Sequence, residues 1–175
     1  MHIGIPKEIK NHEYRVALVP AAVGELVQHG HQVSVQSNAG TAIGLTDADY
    51  QTAGATVLDS AEEILAVADM IVKVKEPQPA ERKMLREDQV LFTYLHLAAD
   101  LPQTQDLLDS GATCIAYETV TDSQNRLPLL APMSEVAGRM SIQAGASCLE
   151  KSQGGVGLLL GGVPGLAVAT LNAVI

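Results

Sequence analysis

A chain of 175 residues is long enough for one domain with a sizeable core, or for one domain and part of another, and too short for two full ones. Its 20 Asp and Glu against 11 Lys and Arg give a formal charge of -9, which opposes attraction to phosphate backbones and anionic lipid, so neither nucleic acid nor a membrane is expected as a partner. Two cysteines, Cys114 and Cys148, lack metal-ligand spacing, and the opening MHIGIPKEIKN reaches charge too soon for a signal peptide. We therefore expect a cytoplasmic protein, no metal site, and free thiols that fill the core.

The stretch HIGIP reads as a short apolar strand. Pro20 then opens a helix, PAAVGELVQHG, with Ala22, Val23, Leu26 and Val27 on one face and Gly30 suited to its C-terminal end. HQVSVQS alternates as a second strand. Thr46 in TDADY is a capping threonine and Ser60 begins the capping box SAEE, so each starts a helix. Three further β-rich runs, DMIVKV, QVLFTYL and ATCIAYE, are separated by the helical patterns AERKMLRE and QTQDLLDSG. The long pattern SEVAGRMSIQAGASCLEKS follows, with Ser134 placed as its N-cap. Strands alternating with helices predict an α/β fold, an open, mostly parallel sheet covered by helices on both faces.

In such sheets the ligand sits beyond the carboxyl ends of the strands. If DMIVKV is a central strand, Lys73 and Lys75 share one face, and Lys75 stands at the end where the crevice should be. The run QVLFTYL closes on His96, whose ordinary pKa suits proton transfer near neutral pH. Arg15 lies between the first strand and the first helix, where its planar fork could hold a carboxylate. Each of the three also has a plain structural reading: a lysine reaching out of a strand end, a hydrogen-bonded histidine, an arginine solvating a loop. Taken together, a local set of cations in an acidic protein looks like a pocket for a small anion.

The stretches IGIPKEIKNHEYRVALVP, KVKEP, LFTYLHLAA, AYETV and LPLLAPMSEVAGRM resemble the alanine dehydrogenase family, from Met1 to about Gly165. The resemblance implies an NAD-dependent oxidoreductase that interconverts L-alanine with pyruvate and ammonium, a Rossmann-like substrate domain, and assembly as a homo-oligomer. It also implies that Arg15 holds the substrate carboxylate, that Lys75 binds the carbonyl or amino end, and that His96 is the catalytic acid/base. Met133 would line the substrate cleft and Ser134 would lie near the nucleotide. The transhydrogenase α subunit resembles the same opening but lacks the histidine of YLHLAA and the second lysine of KVKEP, both present here.

The stretch GGVGLLLGGVPG contains G-x-G at Gly155–Gly157, yet what precedes it is a helical pattern rather than a strand, and no Asp or Glu follows Glu150. We expect a glycine-rich link there, not a dinucleotide loop. The domain plan expected is a substrate-binding domain over residues 1–130, a hinge helix and lead-in over 131–165, and an incomplete first strand of an NAD-binding domain over 166–175. On this plan the chain carries the substrate half alone, as an inactive part of the enzyme or as a pyruvate- or alanine-binding module. Residues 152–175 carry no charge to offset their leucines and valines, and such a tail is expected to self-associate.

Overall fold

The computed structural model describes residues 1–165. Six strands, β1 (His2–Ile5), β2 (Gln32–Gln36), β3 (Thr56–Leu58), β4 (Met70–Val72), β5 (Val90–Thr93) and β6 (Thr113–Ala116), form one sheet in the order β3-β2-β1-β4-β5-β6. Every pairing is parallel. Helices α1 (Pro20–Gln28), α2 (Asp47–Thr52), α3 (Ala61–Val67), α4 (Pro79–Arg82) and α5 (Leu101–Ser110) occupy the connections, and α6 (Ala131–Leu149) comes after the last strand. This is the α/β architecture expected. The strand order runs outward from β1 in one direction and resumes from β4 in the other, so the two crossovers diverge and leave a crevice beyond the carboxyl ends of β1 and β4.

The chain divides into two compact units, Met1–Thr119, which holds the whole sheet, and a second that begins at Val120 and contains α6. The incomplete strand expected over 166–175, and the self-association assigned to it, lie outside the described residues.

Local signals account for most element starts. The side chain of Thr46 accepts from the Asp49 amide and that of Ser60 from the Glu63 amide, each at the third helical residue, as capping boxes require. Four readings change. Strand β3 was not among the expected runs: it is three residues long at the sheet edge, partly exposed, and too short for a period to register. The helical pattern AERKMLRE yields only the single turn of α4. Ser134 is not an N-cap; α6 begins at Ala131 with Pro132 in its first turn, and the Ser134 amide already donates to Leu130 O. Cys148 is exposed rather than in the core, and Cys114 is half-buried on β6.

Alternation along the strands sends side chains to two cores. Ile3, Ile5, Val33, Val35 and Val72 pack with Val23 of α1 and Tyr50 of α2, while Ile71 and Leu91 pack with Ile64 and Leu65 of α3 and Leu107 of α5. Gly4 belongs to the second face. A Cβ there would stand 2.7 Å from both Ala68 Cβ and Ile64 Cγ2, so α3 can cross this closely only over a residue without a side chain.

The end of β4 carries a buried charge. Lys73 is 1% exposed, and its Nζ lies 3.2 Å from Glu8 Oε2 and 2.8 Å from Glu81 Oε1. Glu8 follows β1 and Glu81 sits on α4, so one ammonium fastens two connections to the sheet. The second oxygen of each carboxylate is also used. Glu8 Oε1 accepts from the main-chain amide of Val74 at 2.6 Å, and more weakly from that of Lys75 at 3.4 Å; Glu81 Oε2 accepts from the Gln78 amide at 2.7 Å. Burial pushes the Glu8 carboxyl upward more strongly than Lys73 and these amides pull it down.

Removing one member of such a group leaves charges buried without their partner, which costs about 3–5 kcal/mol. Lys73→Met keeps the volume and deletes the charge, and a loss of that size is expected in urea unfolding near neutral pH. The sign with pH follows from Glu8: a group whose folded pKa is raised binds its proton more tightly in the fold, so its penalty is present above that pKa and relieved as pH falls through it. The gap between Lys73→Met and the parent should therefore narrow on acidification; a gap that widens would contradict this origin.

Candidate functional site

The three basic residues singled out in the sequence follow three neighbouring strands: Arg15 comes after β1, Lys75 after β4 and His96 after β5. Arg15 and Lys75 thus flank the point where the strand order reverses. They also act on a common neighbour, Glu13. Arg15 Nε and Nη2 donate to Glu13 Oε1 and Oε2 at 2.8 and 2.6 Å, and its main-chain amide donates to Oε1 at 2.9 Å. These bonds from Arg15 hold the Glu13 carboxyl below its usual range, with a smaller contribution from the charge of Lys75. In return they raise the pKa of Arg15, so the guanidinium is fixed in orientation and in charge.

The two lysines of KVKEP have opposite surroundings. Lys73 is buried and paired twice, whereas Lys75 is half-buried and its ammonium makes no hydrogen bond or ion pair with the described residues. Glu76, next to it, is committed to Lys10. Its charge is felt by Glu13 and Glu76 without a direct ion pair, and an ammonium with no hydrogen-bond acceptor at a crevice is a ready partner for an anion or a carbonyl oxygen.

Aromatic residues are scarce, one Phe, four Tyr and no Trp, yet three of the five meet at this edge. Tyr117 packs edge-on against Phe92 at 4.3 Å and against Tyr94 at 4.9 Å between ring centroids. Tyr94 in turn stacks on the His96 ring at 6.2 Å and 20°. Burial raises the Tyr94 hydroxyl, the charge of Arg15 draws it back and that of Glu118 raises it further, so Tyr94 lies within reach of both charges. Burial also raises Tyr117, keeping it a neutral phenol. The structure therefore brings Arg15, Lys75 and His96 to one edge through Glu13 and Tyr94. A cavity of about 220 Å³ beside Arg15 is lined by Glu8, Glu13, Tyr14 and Asn38 among others, and one of about 390 Å³ beside His96 is lined by Leu97, Ala99, Ala116 and Glu118.

Sequence reasoning missed Glu8, Glu13, Tyr94 and Glu118. Glu13 had a signal, since an acid two residues from an arginine in a loop can fold back on it. Glu8 had none, because its partner Lys73 lies far along the chain. The bare cation cluster expected is in fact a set of cations oriented by carboxylates.

Met133 and Ser134 stand in the first turn of α6, in the second unit. The glycines that end α6 do not fit a dinucleotide. The Gly155 amide donates to Glu150 O at 2.9 Å and the Gly157 amide to Leu149 O at 2.8 Å, so the N–H groups that would cradle a pyrophosphate close the helix instead. A Cβ at Gly155 would lie 2.2 Å from Cys148 O, and this tight reversal is what requires glycine. Among the described residues no cluster of His, Cys, Asp or Glu could hold a metal ion, and no helix is long and apolar enough to cross a membrane.

Residues 4–137 match the family model described as "Alanine dehydrogenase/PNT, N-terminal domain". Alanine dehydrogenase of Halomonas elongata is 58% identical over 99% of this chain and 47% of its own length; that of Mycobacterium tuberculosis is 54% identical over 97% and 46%. A solved L-alanine dehydrogenase superposes with a TM-score of 0.82 at 54% identity, covering 96% of this chain and 46% of that one. The transhydrogenase of Sinorhizobium meliloti reaches a TM-score of 0.64 at 28% identity over 67% of this chain. The chain spans about half the length of the curated relatives it matches. With the parallel sheet, its reversal point and the residues gathered there, these matches establish that the chain belongs to the alanine dehydrogenase/PNT family and corresponds to its N-terminal domain.

Proposed function

We propose that this chain is the substrate-binding half of an NAD-dependent alanine dehydrogenase, and that the crevice beyond β1, β4 and β5 takes pyruvate or L-alanine. The observation that carries this reading is the contrast inside KVKEP: a lysine neutralised in the core, then one whose half-buried ammonium has no ion-pair partner among the described residues, on the same edge as a rigidly oriented guanidinium. Arg15 fixes the carboxylate of the substrate, and Lys75 polarises its carbonyl oxygen. His96, an exposed imidazole on an aromatic shelf, gives or takes the proton as water or ammonia adds at the same carbon. The hydride belongs to a dinucleotide whose pyrophosphate the Gly155 and Gly157 amides, already closing α6, would not cradle, so the work read here for this chain is binding, orienting and proton transfer. Met133 and Ser134 are assigned, on the family resemblance, to the substrate cleft and the nucleotide side. The intact enzyme would be a cytoplasmic homo-oligomer.

A second reading, a module that binds pyruvate without turnover, is favoured by one observation: the amides of Gly155 and Gly157 are committed to closing α6. Both readings share the binding step. Hydrogen bonds to charged groups contribute about 1.5–3 kcal/mol each, so Arg15→Ala and Lys75→Met should each weaken pyruvate binding by about 10- to 100-fold in calorimetry, while His96→Ala changes it little. Unaltered affinity in Arg15→Ala would refute the assignment of the carboxylate. Whether the chain turns over by itself is read in an assay of NADH oxidation with pyruvate and ammonium. The chain alone is expected to give no turnover, because hydride transfer needs a positioned nicotinamide; measurable turnover would show that these 175 residues suffice.

A further inference from the structure

His96 adopts φ 51° and ψ 40°, the left-handed region that a residue with a Cβ seldom enters. It is not a glycine and not in a tight hairpin, so something holds it there. The hold is visible. Glu118 Oε1 accepts from the His96 main-chain amide at 2.7 Å and from the Leu95 amide at 3.1 Å, and Oε2 stands 3.2 Å from the latter. From the other side, buried Gln103 donates from Nε2 to Leu95 O at 2.6 Å, and Thr104 donates from Oγ1 to Leu97 O at 3.1 Å. Glu118 is itself located by its neighbour Tyr117, clamped between Phe92 and Tyr94. Strained backbone of this kind persists where the surroundings over-determine it, and it gathers at functional sites.

We propose that Glu118 is the positioning residue of His96: its carboxylate, by taking two successive main-chain N–H groups, keeps His96 left-handed and its ring stacked on Tyr94. The inference rests on the reading of His96 as the proton-transfer group. Glu118 does not touch the substrate in this account. It acts through the backbone, from the turn that follows β6 to the segment that follows the neighbouring β5.

The test uses the full chain, labelled for NMR, as the parent, Glu118→Ala and Glu118→Gln. Left-handed geometry at His96 is read from its Cα and Cβ shifts and the intraresidue amide-to-Hα NOE. The parent and Glu118→Gln, which keeps an acceptor oxygen, should show the left-handed signature; Glu118→Ala should lose it. Pyruvate added as the probe should perturb the His96 resonances less in the Ala variant than in the parent at equal saturation. A folded Glu118→Ala that retains the signature overturns the proposal. Should that variant fail to fold, the parent decides: scalar coupling through the hydrogen bonds, from the Leu95 and His96 amide nitrogens to the Glu118 side-chain carbon, is required, and its absence overturns the proposal. If the parent binds no pyruvate, the substrate reading fails while the backbone measurement still judges Glu118.

Discussion

One ammonium, that of Lys73, sets the shape of the site edge. A charge with 1% exposure is tolerable only if it is neutralised, and here it is neutralised by carboxylates from two separate connections, Glu8 after β1 and Glu81 on α4. The consequences spread outward through the remaining oxygens. Glu8 receives the amides of Val74 and Lys75, so the loop that presents Lys75 is fixed by the same carboxylate that balances Lys73. The buried lysine and the half-buried one are thus tied to a single carboxylate.

Around this anchor the site follows a repeated plan in which a carboxylate holds the guanidinium of Arg15 and the main chain of Lys75 and of His96. Glu13 grips the fork of Arg15, Glu8 holds the backbone of Lys75, and Glu118 holds the backbone of His96. An acidic protein can therefore still present a face for an anion, because its acids point at main-chain amides and guanidinium donors. Preorganisation of this kind removes ordering costs that a flexible set of cations would meet at each binding event.

What the sequence made legible was local. Capping residues Thr46 and Ser60, Pro20 at the start of α1, and the alternation of HQVSVQS each carry their signal within a few positions, and the structure realises them. The parallel pairing followed from the alternation of strands and helices, while the strand order is a property of the fold alone. Strand β3 escaped because three partly exposed edge residues carry neither period nor length. Ser134 misled because a serine before apolar residues looks like a cap, while Pro132 had already started the helix. The residues that orient the site escaped for a different reason: Glu8, Glu118 and Gln103 act on groups brought near only by folding, and an isolated acid at a strand end reads as solvated. Position after strands singled out Arg15, Lys75 and His96, the family resemblance added their expected roles, and the fold shows what holds them.

The most direct measurement is a crystal structure of this chain with pyruvate. The account expects the carboxylate on the Arg15 guanidinium and the carbonyl oxygen within hydrogen-bond reach of Lys75 Nζ, with the His96 ring beside the same carbon. Pyruvate seated elsewhere, or bound with Lys75 turned away from it, would contradict the account.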